Sequence, residues 1–191
     1  MIPRQLAIGL AVMTIVVVVM GVYVGRMRRQ ALGSQAVFDV PVGPPPSGPT
    51  ETVTLYVADD ATGTLHTQAA QIPLPSGRQQ RAEELLRALL RIYQQPGAAH
   101  RLAPAADVRS IYLVAPGVAV IDMNTAFADL HRSGILDEQL TVNSLVETLA
   151  VNVPGVNRVR ILVDGKTRET LAGHADLTDF FDVSAVAGTN Q

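Results

Sequence analysis

Leu136 to Lys166 reads LDEQLTVNSLVETLAVNVPGVNRVRILVDGK. Its first part carries Val142, Leu145, Val146, Leu149 and Val153 at helical spacing, which predicts a helix over Leu136–Asn152 with one apolar face. Asp137 and Glu138 place negative charge in its first turn, where the helix dipole favours it. Pro154-Gly155 stops the helix. Val159, Ile161 and Val163 then alternate with Arg158 and Arg160, the period of a strand buried on one face. Asp164-Gly165 turns the chain, since both residues tolerate positive φ. A short return strand ending near Leu171 is expected from that turn.

Upstream of this stretch further elements can be read, without an internal repeat. Val108–Val114 and Val118–Met123 flank Ala115-Pro116-Gly117-Val118. Pro presets φ at the first central turn position and Gly accepts positive φ at the second, so a β-hairpin is predicted. Ala126–Leu130 suits a short helical turn. Ser76 stands three residues before Gln79, the spacing of a capping box. Ala82, Leu85, Leu86, Leu89, Leu90 and Tyr93 follow as the apolar face of a helix over Gln79–Tyr93, with Glu83 and Arg87 able to pair on its outer side. Val53, Leu55 and Val57 alternate in a first strand, Asp59 to Gly63 forms a turn, and Leu65 to Ile72 gives a looser second strand. The order ββ-α-ββ-α-ββ predicts an α+β fold: a two-helix, mixed-sheet sandwich with both helices on one sheet face.

The other end of the chain has a different character. Leu6 to Val24 carries no charge. At about 1.5 Å per residue such a helix matches the roughly 30 Å hydrocarbon core of a bilayer. We expect segment 6–25 to be an uncleaved transmembrane signal anchor after a short segment 1–5. A cleaved signal peptide is the alternative, disfavoured because signal cores are shorter. Val40 to Thr50 reads VPVGPPPSGPT, which makes 26–50 a Pro-rich linker of extended polyproline character. The soluble domain is then 51–182, with 183–191 a disordered tail. Arg26, Arg28 and Arg29 follow the anchor and Arg4 precedes it, so the positive-inside rule read literally places the domain in the cytoplasm.

Composition narrows the function. From Glu51 onward there are 11 basic and 16 acidic residues, a net charge of −5. Nucleic-acid binding needs a basic face and is not expected. The chain has no cysteine. Thiol catalysis, Cys-ligated zinc, disulfide stapling and a lipid-anchored lipoprotein are thereby excluded.

Several short pieces, in order and at matching spacing, resemble the GerMN domain, a family named after a spore-germination protein. They are Ser144-Leu145-Val146-Glu147-Thr148-Leu149, Pro154-Gly155-Val156-Asn157-Arg158-Val159 and Ile161-Leu162-Val163-Asp164-Gly165-Lys166. Thr54-Leu55-Tyr56, Val120-Ile121-Asp122-Met123 with Phe127, and Gly173-His174-Ala175-Asp176-Leu177 also fit. The likeness spans roughly Val53 to Phe180. Arg91 to Pro104 departs from it, being longer and differently composed than the family's link after its first helix. One copy is read here, where the germination protein carries two. The resemblance implies an extracytoplasmic envelope module, similar to small ring-building α/β modules, with no known catalytic activity. It favours a cytoplasmic N-terminus and an exported domain, against the arginine count.

Candidate sites are few. His174 and Asp176 are two residues apart and could act as base and orienter, but no nucleophile motif accompanies them. A surface histidine beside a turn-capping aspartate is the preferred reading. His66, His100 and His131 are scattered and lack metal-ligand spacing. Asp59 and Asp60 read as a solvated turn without the spaced ligands of a calcium loop. Asp122 is expected to cap the turn that follows it. Asp164-Gly165-Lys166 is explained by turn geometry. Arg158 and Arg160 form either a solvated face or a partner-binding edge. No catalytic, cofactor or metal residue is expected. The expected function is a non-catalytic interaction or assembly module, binding envelope proteins or a second copy, with membrane contact through Leu6–Val24. Peptidoglycan or carbohydrate binding is the alternative, weakened by the absence of tryptophan. A small hydrolase built on His174 with Asp122 or Asp176 ranks behind both.

Overall fold

The computed structural model describes Met20 and residues 48–75, 77–114 and 116–189, with side chains in the last helix as far as Val186. The proposed anchor apart from Met20 and most of the linker lie outside these residues, as does Ser76 of the expected capping box. Among the described residues no helix is long and apolar enough to cross a membrane.

The elements run β1 (Thr50–Asp59), β2 (Thr64–Pro73), α1 (Arg78–Tyr93), β3 (Val108–Val114), β4 (Val118–Met123), α2 (Thr125–Asp129), α3 (Ile135–Asn152), β5 (Arg158–Val163), β6 (Phe181–Asp182) and α4 (Val183–Thr189). The fold is α+β, with two sheets rather than the single sheet expected. β1 and β2 form an antiparallel ribbon of their own, and the second sheet has the order β3-β4-β5-β6. β4 and β5 pair in parallel, with Ile121 opposite Ile161, so α2 and α3 form the crossover between them. The return strand after Asp164-Gly165 is reduced to a bridge between Val163 and Lys166, and the chain reaches the sheet edge only at Phe181. Residues 183–191, expected as a tail, contain α4.

Local signals account for most elements. The apolar face read for α1 is buried residue for residue: Ala82, Leu85, Leu86, Leu89, Leu90 and Tyr93. Its N-cap is Gly77, with no side-chain cap. Arg87 donates to Glu83 at 3.5 Å. Gly117 takes φ +71° in the β3–β4 turn. Its carbonyl accepts from the N–H groups of Asn157 and Arg158, at 2.8 and 3.2 Å, which sets the register of β5 on β4. Asp164 and Gly165 have φ +53° and +72°, a turn with positive φ at both central residues.

α3 is the centre of the molecule. Leu140 to Leu149 is buried at every position. A helix covered all round has to satisfy its polar side chains internally. Ser144 Oγ lies 2.5 Å from the Tyr93 hydroxyl, which accepts from Ala58 N–H at 2.9 Å. Thr148 Oγ1 accepts from Tyr56 N–H at 3.0 Å, and Asn152 Nδ2 donates to the Thr54 carbonyl at 2.6 Å. One polar stripe of α3 therefore ties down the outward backbone groups of β1.

Candidate functional site

Glu138, in the first turn of α3, is fully buried. Its Oε2 accepts from the N–H groups of Ala172, His174 and Ala175 at 3.0, 2.9 and 2.8 Å. Its Oε1 lies 2.9 Å from His174 Nδ1 and accepts from Gly134 N–H at 3.3 Å. Burial pushes the carboxyl up, but the Ala175 N–H, the His174 ring and the N–H groups of Ala172 and His174 outweigh it and hold it at about 2. The acid beside His174 is thus Glu138, not Asp176. Asp176 accepts from the Thr178 hydroxyl and N–H, which lower its pKa, and it caps a turn as expected. Ser133 Oγ is 3.4 Å from the same His174 nitrogen that faces Glu138. A serine triad needs the hydroxyl at the opposite ring nitrogen, so this trio lacks nucleophile geometry.

His100 and His131 are not scattered: both reach Thr141 on the next turn of α3. Their Nε2 atoms lie 2.7 and 2.8 Å from Thr141 Oγ1. His100 Nδ1 is 2.5 Å from Asp60 Oδ1, and His131 Nδ1 is 2.7 Å from the Arg132 carbonyl. The His131 Nδ1 therefore donates to that carbonyl. The Thr141 hydroxyl has one proton to give and lies 3.0 Å from the Asp137 carbonyl, which can only accept it, so two imidazoles and one carbonyl converge on a single hydroxyl. Burial lowers the His131 pKa, and the neighbouring His100 lowers it further against the pull of the Arg132 carbonyl. Among the described residues no group of His, Asp or Glu is arranged to hold a metal ion.

The other singled-out residues are structural. Asp59 Oδ1 accepts from Ala61 N–H at 2.8 Å in the β1–β2 turn, whereas Asp60 leaves that turn for His100. Asp122 does not cap the following helix. It accepts from Gly165 N–H at 2.7 Å, and Asn124 caps α2 by accepting from Phe127 N–H at 3.1 Å. Asp164 pairs with Arg109. Arg158 and Arg160 both stack on Phe180, 5.2 and 5.3 Å from its ring centroid, so they are engaged within the domain. His66 is exposed on β2.

Strand edges differ in whether they are sealed. β1 is sealed by Thr148, Asn152 and Tyr93. On β3, Glu83 accepts from Ile111 N–H at 3.4 Å and Arg87 donates to the Val108 carbonyl at 3.3 Å. β2 has no such cover: among the described residues no side chain bonds its outward backbone groups, and His66 to Ala69 is exposed on both faces. Its sequence, TLHTQAAQIP, holds no Lys, Arg, Asp or Glu. Charges are the usual guard on a free edge, and they are missing here.

A family profile described as Germane, sporulation and spore germination, matches residues 54–169. The chain belongs to this family. Among solved structures, the first GerMN domain of the sporulation protein GerM from Bacillus subtilis is similar, with 21% identity and a TM-score of 0.51 over 70% of this chain and 98% of that one. The tandem GerMN domains of the same protein give 20% identity and a TM-score of 0.52 over 70% of this chain, which spans 46% of the tandem. At these identities the likeness is one of fold. No curated protein matches the chain.

The sequence reading missed Glu138 as a buried anchor and missed the meeting of His100 with His131. One signal was available: Glu138, Thr141, Ser144 and Thr148 place a polar stripe on a helix whose apolar face was already complete.

Proposed function

We propose that this chain is a non-catalytic assembly module of the bacterial envelope, held by Leu6–Val24 with its N-terminus in the cytoplasm and residues 51–182 outside. The observation that carries the reading is the unsealed, uncharged edge of β2 in a GerMN fold whose other long edges are closed. Such an edge adds a strand from a second copy or from an envelope partner. The linker 26–50 gives the domain reach from the membrane. The chain lacks cysteine, so Gln68→Cys on β2 supplies a single thiol. In cells this variant is expected to form a crosslink that Thr67→Lys abolishes, and alkaline phosphatase fused after Gln191 is expected to be active. Absence of any crosslink, or an inactive fusion, rejects the corresponding half of the reading.

One observation favours a second reading, a small hydrolase. His174, Asp176 and Asp182 line one groove, with Glu138 behind the histidine. No nucleophile faces the free nitrogen of His174 among the described residues. Loss of a cell-wall-fragment hydrolysis in His174→Ala would replace the assembly reading with this one.

A further inference from the structure

The chain enters the described domain at Gly48. The start of β1, the end of β2, the first turn of α1 and the last turn of α3 meet at this entry. The Pro49 carbonyl accepts from Leu74 N–H at 2.9 Å. Arg81 on α1 pairs with Glu51 at 2.5 Å and donates to the Asn152 carbonyl. Arg78 donates to the Pro154 carbonyl at 2.6 Å. A groove joins Arg78 and Pro154 to Val114 and Gly117 of the β3–β4 hairpin. The Gly117 carbonyl in turn holds Arg158, the first residue of β5.

Three large apolar side chains stand at this end: Leu74, Val114 and Val151, each more than half exposed. Singly, exposed apolar side chains need no explanation; gathered at one end beside basic groups they mark a contact surface. Arg78 and Arg158 are those groups. Both are exposed, and among the described residues neither is paired with a carboxylate: Arg78 has the Pro154 carbonyl and Arg158 the Phe180 ring. Asp182 stands opposite Arg158 in β6 without an ion pair to it. Acids collect at the other end, with Asp59 and Asp60 after β1, Asp137 in the first turn of α3 and Asp164 after β5. A domain with a net charge of −5 from Glu51 onward thus turns much of its acid away from the point where the linker enters.

The position of the entry identifies the occupant. Segment 26–50 ties this end to Leu6–Val24, and such a tether keeps it at high effective concentration near the bilayer. Anionic lipid offers phosphates to exposed arginines and an apolar layer to the side chains beside them. A carbohydrate surface would leave Leu74, Val114 and Val151 in water.

We propose that the linker end of the domain rests on the lipid surface, with Arg78 and Arg158 on anionic headgroup phosphates and Leu74, Val114 and Val151 in the interfacial layer. The proposal rests on the membrane anchor of the reading above and holds for a domain on either side of the membrane.

The test uses the full chain in vesicles of phosphatidylcholine and phosphatidylglycerol. The chain lacks cysteine, so Val151→Cys and Ile135→Cys each supply one thiol for a fluorescent label. The two positions stand at opposite ends of α3, about 24 Å apart at about 1.5 Å per residue. Flotation with the vesicles reports the anchor alone. A nitroxide on the lipid headgroup is expected to quench the label at 151 and to leave the label at 135 bright. Arg78→Gln combined with Arg158→Gln is expected to lower the docked-to-free ratio about 25-fold, at about fivefold per arginine near an anionic surface, and so to restore emission at 151. Leu74→Asp combined with Val114→Asp, both at exposed positions, is expected to restore it as well. A chain that floats while the label at 151 stays bright overturns the proposal and leaves the anchor standing. A chain that does not float overturns both. Equal quenching at 135 and 151, or quenching at 151 that survives both double substitutions, also overturns it. So does a label at 151 that is shielded from iodide in the water but untouched by the lipid nitroxide, which would assign this end to a protein partner or a second copy.

Discussion

Glu138 collects five hydrogen bonds from a loop more than thirty residues away and from the turn before its own helix. Its pKa of about 2 against an ordinary 4.5 sets a pH dependence. Above pH 4.5 the carboxylate is ionised in both folded and unfolded chains, and its contribution is complete. Below 4.5 the unfolded chain takes up the proton first, so stability falls until about pH 2, by on the order of 3 kcal/mol in all. His131 adds an earlier step of the same sign. Its folded pKa lies below 6.5, so the unfolded chain protonates first as pH falls past 6.5, and stability declines from there. Urea titrations from pH 8 to pH 3 should show both steps. Glu138→Gln should cost about 3 kcal/mol or more at pH 7 and flatten the lower step, and His131→Gln should flatten the upper one. At this scale the sequence was legible where a residue acts on its neighbours, as Asp59, Asp164 and Asp176 do in their turns. It was silent where the partner is distant. Nothing near Glu138 announces the backbone of Ala172 to Ala175.

Elements were legible wherever the cause was local. Periodicity placed α1, α3, β3, β4 and β5 to within a residue or two, and Pro116-Gly117 marked its hairpin. Gly117 serves a second purpose that no local pattern shows. A Cβ there would lie 2.7 Å from the Gly155 carbonyl and from Asn157 Oδ1, at φ +71°. Both the backbone strain and the clash act at the point where β4 meets β5. Gly117→Ala should therefore cost about 1–3 kcal/mol. Gly155, equally positive in φ at +88° but with open space around it, supplies the comparison: Gly155→Ala should cost less by the part due to the clash. Equal losses in the two variants, measured by chemical denaturation, would show that contact with Asn157 contributes nothing.

For the whole molecule, the two helices and the α+β class could be read from the chain, and the division into two sheets could not. Which strand pairs with which is decided by packing between residues far apart, and β1–β2 looks the same in sequence whether it joins the larger sheet or stands alone. The shared core lies between α1, α3 and both sheets, and Leu86 and Leu145 are both fully buried in it. Leu86→Ala should lower stability by about 2–5 kcal/mol, and a midpoint unchanged by that substitution would contradict the packing described. The bonds from Tyr56 to Thr148 and from Asn152 to Thr54 span 92 and 98 residues. They also order events in time. The ribbon is made first, and at about 5–20 residues per second the helix that seals β1 follows several seconds later. Until then the nascent ribbon presents two open edges to its neighbours. Arrival of Thr148 and Asn152 closes one of them, and among the described residues the β2 edge of the ribbon is still open when synthesis ends.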